Sequence, residues 1–136
     1  MAITACKKKK NPVYTSMTLY VNGDSTWTVS DVTSSSVQGD GSVIITATNT
    51  TIDESVTFTL ADYREGRKTY SIGTGNIPGN AYGSSAEYSY GGYLADGVSG
   101  DVTITNQSTH VIEGTFTIAT NRVNISGHFG APIPND

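Results

Sequence analysis

The chain reads as an all-β protein, an antiparallel β-sandwich or flattened barrel built mostly from sequential hairpins, with little or no helix. Three observations predict this. Thr, Ser, Gly, Tyr, Val and Ile dominate, while charged residues make up only 15% of the 136 residues, a composition of twisted sheet and tight turns. Apolar residues recur at every second position in several short runs, the period of a half-buried strand. Gly, Asn and Asp clusters separate those runs at hairpin spacing. A chain of this length makes one core and buries about two-thirds of its unfolded surface, so residues 16–136 form a single expected domain.

Taken in order, Met17, Leu19 and Val21 alternate with Thr18 and Tyr20, and Asn22-Gly23-Asp24 turns the chain. Trp27 and Val29 continue the inward face on a return strand that the polar stretch Thr33 to Ser36 weakens. Gly39-Asp40-Gly41 makes the next turn, and Val43 to Thr48 the next strand. After a turn at Asn49 to Asp53, Val56, Phe58 and Leu60 alternate cleanly with Thr57 and Thr59. A charged loop around Gly66 leads to a short strand at Thr69 to Ile72, with Tyr70 and Ile72 on one face. From Gly73 to Gly100 glycine and tyrosine are dense and Pro78 intervenes, which predicts a long irregular excursion holding a short strand at Glu87 to Tyr90. Val102 and Ile104 then resume the sheet, and Gln107-Ser108 turns it. The last two strands share a pattern, Ile112-x-Gly114-x-Phe116 and Ile125-x-Gly127-x-Phe129, and should pair as a hairpin. Inward glycines there let a ring from the neighbouring strand lie over bare backbone.

Ahead of this body, Ile3-Thr4-Ala5-Cys6 has the form of a lipobox: an aliphatic residue, two small residues, then the cysteine that takes the lipid. Too few residues precede Cys6 for a charged n-region and an apolar h-region. Segment 1–15 is accordingly read as a signal-peptide remnant, the lipobox cysteine and a basic tether. Cys6 is the only cysteine, so disulfide frameworks and paired-cysteine chemistry do not arise. Lys7, Lys8, Lys9 and Lys10 follow at once, and each is attracted to anionic headgroups by about 1 kcal/mol. A solvated basic tail beside a lone cysteine is the plain alternative. With those lysines set aside, Arg64, Arg67, Lys68 and Arg122 face 12 acidic residues. Such a body repels a phosphate backbone, so no nucleic-acid partner is expected.

These features resemble a family of small exported lipoproteins of Gram-negative bacteria, known as a domain of unknown function. The resemblance lies in Met17 to Thr28, Gly41 to Thr48, Ser55 to Ile72, Gly100 to Thr105 and the paired Ile-x-Gly-x-Phe strands, and covers nearly all of Ser16 to Ile133. It implies a lipid-anchored all-β protein of the cell envelope, held at the outer membrane, and brings no active-site residues. Relatives sent to the outer face often carry acidic residues after the acylated cysteine, whereas this chain has lysines. The periplasmic and surface faces therefore both stay open.

Catalytic signatures are not met. Gly97-Val98-Ser99-Gly100 has neither the spacing nor the context of a nucleophile elbow. Gly73-x-Gly75-x-x-x-Gly79 places its third glycine late for a dinucleotide loop and opens no helix. His110 and His128 alternate opposite the apolar residues of their strands, as surface histidines do, and lack metal-ligand spacing. A pairing of His128 with Glu113 across the last hairpin, if formed, would be a cross-strand polar contact rather than an acid–base couple. Asp40 and Asp96 precede glycines as turn residues do, without the alternating oxygens of a calcium loop. No metal, cofactor or enzymatic activity is expected.

The remaining constellation is aromatic: Tyr82, Tyr88, Tyr90 and Tyr93 among glycines. Tyr88 and Tyr90, two apart, present both rings on one face of a strand, able to stack on sugar rings or a protein, or simply to pack over one end of the body. The expected function is non-enzymatic: a cell-envelope lipoprotein with a binding or structural role, its partners the membrane through Cys6 and a glycan or envelope protein. A carbohydrate-binding module using the tyrosines is one alternative. A self-associating surface or filament subunit, using exposed strand edges, is another.

Overall fold

Alternating apolar residues become strands with one dry face, and the dry faces close on one another. The computed structural model describes residues 15–36, 41–64, 66, 68–73 and 84–134. Cys6, Lys7, Lys8, Lys9, Lys10 and Tyr82 fall outside these. The strands are β1 (Ser16–Val21), β2 (Asp24–Val29), β3 (Val32–Ser36), β4 (Val43–Asn49), β5 (Glu54–Leu60), β6 (Thr69–Ser71), β7 (Ser85–Tyr90), β8 (Tyr93–Gln107), β9 (Val111–Thr120) and β10 (Asn124–Pro132). There is no helix among the described residues.

All ladders between these strands are antiparallel, in the spatial order β2-β1-β10-β9-β8-β7-β5-β4-β3, with β6 beside β8. The sheet bends until its ends approach, which makes a flattened, nearly closed barrel. The ends are linked by side chains: Ser34 Oγ of β3 donates to the Pro132 carbonyl of β10, and Trp27 of β2 donates to Glu54 of β5.

Inside, Phe58, Phe116 and Phe129 meet at centroid distances of 4.9, 5.7 and 6.4 Å. Met17, Leu19, Ile45, Tyr70, Ile112, Ile118 and Ile125 complete a core from which water is excluded. Each such side chain contributes about 1.5–3 kcal/mol by leaving water. The paired Ile-x-Gly-x-Phe strands interlock in the expected way, with Gly114 opposite Phe129 and Gly127 opposite Phe116. The expected turn at Asn22-Gly23 is a two-residue turn with φ of 51° and 87°, the left-handed pair that matches strand twist in a tight hairpin.

Two expectations are corrected. The segment from Trp27 to Ser36 is not one weakened strand: Ser30 and Asp31 interrupt it, β2 stays beside β1, and β3 joins β4. Nor is 73–100 one irregular excursion. β7 and β8 fill most of its described part, joined by a tight turn at Gly91 and Gly92 with φ of 55° and 86°; residues 74–83 lie outside the described residues.

The glycines that resemble loop punctuation serve a strand that changes neighbours. β8 pairs with β7 from Tyr93 to Asp96 and with β9 from Gly97 onward, and a bulge falls between Gly97 and Ser99. Bulges bend a strand and sharpen its twist, and here the bend carries β8 from one wall to the other. Gly97 faces the core at that corner, where a Cβ would lie 2.8 Å from Ile72 Cγ2.

Candidate functional site

Three of the four tyrosines predicted to act together, Tyr88, Tyr90 and Tyr93, cluster, but only in part at the surface; Tyr82 lies outside the described residues. Tyr88 and Tyr90 share a face of β7 and stack at 4.9 Å with 26° between their planes. That face points inward, because Tyr88 follows Ala86 in the buried register. Tyr88 is 4% exposed, so it belongs to the core and not to an accessible surface. Tyr90 is half-buried. The turn at Gly91-Gly92 sets Tyr93 opposite Tyr90, with centroids 5.8 Å apart. Tyr93 is 58% exposed. The three rings therefore form a row that passes from the core to solvent.

Each end of the row is fixed by a residue that sequence reasoning did not single out. At the buried end Tyr88 Oη donates to Glu54 Oε1 at 2.9 Å, and Trp27 Nε1 donates to the same oxygen at 2.7 Å. Burial first, and then the hydrogen bond to Glu54, hold the Tyr88 phenol far above its ordinary pKa, so it remains a protonated donor. At the solvent end Arg122, in the turn between β9 and β10, places its guanidinium carbon 5.6 Å from the Tyr93 ring centre. Its Nε donates to the Leu94 carbonyl at 3.3 Å. A cation over an aromatic face is worth about 0.5–1 kcal/mol at an exposed site, enough to bias the orientation of both groups. No local motif announces Arg122, Trp27 or Glu54; strand order alone brings them to the tyrosines.

This corner lies at the far end of β1 from Ser16. Asn22, just past the end of β1, donates its N–H to the Asn124 carbonyl and accepts from the Asn124 N–H, beside the turn that carries Arg122. β1 has 6 residues, which is roughly 17 Å of strand. Leu94, 55% exposed, and Ile52, 47% exposed in the neighbouring turn, add apolar surface nearby.

A second concavity, an open cleft of about 330 Å³, lies on the wall where β8 leaves β7. Thr57, Thr59, Ser85, Glu87, Asp96 and Gly97 line it. Glu87 stands directly opposite Thr57 on one side and Asp96 on the other. His110 and His128 are exposed, as expected. Glu113 accepts a hydrogen bond from Asn106 Nδ2 at 3.0 Å, on the β8 side and away from His128. Among the described residues no group of three or more His, Cys, Asp or Glu side chains is placed to hold a metal ion.

No curated protein and no solved structure matches the chain. A family model described as Domain of unknown function (DUF6252) matches residues 17–129. The matched segment includes both partners of the β1–β10 ladder and the interlocked glycine–phenylalanine hairpin, and the chain belongs to that family.

Proposed function

We propose that this chain is a non-enzymatic binding module of the bacterial cell envelope, anchored by lipid on Cys6, with the Tyr90–Tyr93 corner as its glycan-binding face. The observation that carries this reading is the exposed Tyr93 ring. It packs against Arg122, whose guanidinium carbon is 5.6 Å from the ring centre, and against Tyr90 at a tilted 5.8 Å. A ring immobilised before binding loses little entropy when a sugar stacks on it. Its position supports the same reading, since a tether joined to β1 at Ser16 would leave this corner turned away from the membrane.

The test uses the full chain in affinity-gel electrophoresis against a panel of polysaccharides. Retardation by at least one polymer is expected, lost in Tyr93→Ala while the thermal melt falls by only a few degrees, the loss of the contacts with Arg122 and Tyr90. Retardation by none of the polymers would sink the reading. The anchor is tested separately by incorporation of labelled palmitate in an exporting host, expected for the parent and absent in Cys6→Ser.

Self-association is the competing reading, favoured by the position of β2 and β3 at the two ends of the strand order. Sedimentation that depends on concentration would support it, and a monomer at high concentration would exclude it.

A further inference from the structure

The geometry points to a ligand sugar that bears a carboxylate, gripped by Arg122 while its ring lies on Tyr93; this rests on the glycan reading above. The argument begins with charge. The chain has a net charge of −4 and an isoelectric point near 4.9. Its described cations are Arg64, Lys68 and Arg122. Arg64 pairs with Asp62 at 3.4 Å in the loop before β6. Lys68 lies just ahead of β6, its carbonyl bonded to Ile104 toward the opposite end of β8 from Tyr93. Arg122 is thus the described cation at the tyrosine corner, and no described carboxylate lies within ion-pair distance of it.

The contacts Arg122 does make hold the group without consuming it. Nε is engaged by the Leu94 carbonyl and the guanidinium plane is near the Tyr93 ring. This leaves the two terminal nitrogens, the pair that forms a fork against a carboxylate. Glu54, at the other end of the tyrosine row, is committed to Trp27 and Tyr88, and Asp96, whose backbone bonds to Asn121 beside Arg122, forms no ion pair with the arginine. A neutral sugar offers the guanidinium only single hydroxyl acceptors, without the charge-assisted fork. A uronic acid uses both Tyr93 and the fork, because its carboxylate projects from the edge of a ring that can itself stack.

The experiment compares polygalacturonate, the same polymer after reduction of its carboxylates to hydroxymethyl groups, and poly-L-glutamate, each in affinity gels with the full chain. Polygalacturonate should bind at least roughly tenfold more tightly than the reduced polymer, the usual scale for one charge-assisted pair. Arg122→Gln should remove that advantage, so that within the variant polygalacturonate and the reduced polymer bind alike. Arg122→Lys should restore only part of it, since an ammonium cannot fork. Equal retardation by the two sugar polymers, or an Arg122→Gln variant indistinguishable from the parent, would overturn the carboxylate inference and leave the glycan reading standing. Poly-L-glutamate binding as well as polygalacturonate would also overturn it, since the sugar ring would then contribute nothing. Failure of every polysaccharide would remove both.

Discussion

The Phe129 ring occupies the space that a side chain on Gly114 would need: a Cβ there would lie 2.8 Å from Phe129 Cζ and 2.5 Å from the Thr103 carbonyl oxygen. Gly114→Ala should therefore destabilise the barrel by about 1–3 kcal/mol, the range for overpacking a filled core. Calorimetry should show a melt lowered by several degrees. Adding Phe129→Leu to Gly114→Ala should relieve the ring contact but not the backbone one, so the double variant should lose less than the sum of its parts. Simple additivity would mean that the ring does not limit the position.

Glu54 is the common acceptor for Trp27 and Tyr88, which ties β2 to β5 and β7. Tyr88→Phe should cost about 1.5 kcal/mol and Glu54→Ala more, since it orphans two donors whose side chains are mostly buried. Denaturant titration measures both, and a Glu54→Ala variant as stable as Tyr88→Phe would contradict the shared-acceptor arrangement.

The same pair sets a pH dependence. Unfolded, the Tyr88 phenol loses its proton near pH 10; folded, it holds the proton to well above that value. The unfolded chain then binds fewer protons, so this group's contribution is complete below about pH 10 and declines as pH rises further. Melts followed from pH 8 to above pH 10 should fall less steeply in Tyr88→Phe than in the parent.

Two glycines at the bend of β8 should respond differently. At Gly97 a Cβ meets side chains, chiefly Ile72 Cγ2 at 2.8 Å, which have some freedom to move. At Gly100 φ is +109° and a Cβ would lie 2.8 Å from the backbone Cα of Ile118 and against the Thr117 carbonyl. Gly100→Ala should therefore be the more damaging of the two in a denaturant midpoint, and the reverse order would refute this account of the bend.

Gly91 is the opposite case. Its φ of +55° is one that asparagine adopts, and nothing lies within 4 Å of a Cβ built there. Gly91→Asn should keep the turn and narrow the unfolded ensemble, raising stability by about 0.4–1 kcal/mol. A lowered melt would show that the turn needs glycine at both positions.

Much of the wall was legible from the sequence, because period-two alternation such as Val56-x-Phe58-x-Leu60 admits one physical reading once one face must be dry. The Gly114–Phe129 and Gly127–Phe116 interlock was legible for the same reason, as an inward glycine invites a neighbour's ring. Gly97 and Gly100 misled, since a bulge that turns a strand into a second wall looks locally like a loop. The orientation of Tyr88 was hidden among those glycines, although the spacing of Ala86 and Tyr88 holds the clue. Alternation showed Trp27 facing inward, but Arg122 and Glu54 left no local trace, and the meeting of all three depends on which strands become neighbours.

Because Ser16–Val21 finds its ladder partner in Ile125–Gly130, no fragment lacking the final strand can seal the wall. A ribosome that delivers the chain from its amino end must release it through Gly130 before β1, already paired with β2, gains its second neighbour. Such closure is slow, as pairings distant in sequence are. During that wait the oily sides of the early hairpins are bare, the condition in which neighbouring nascent chains stick to one another.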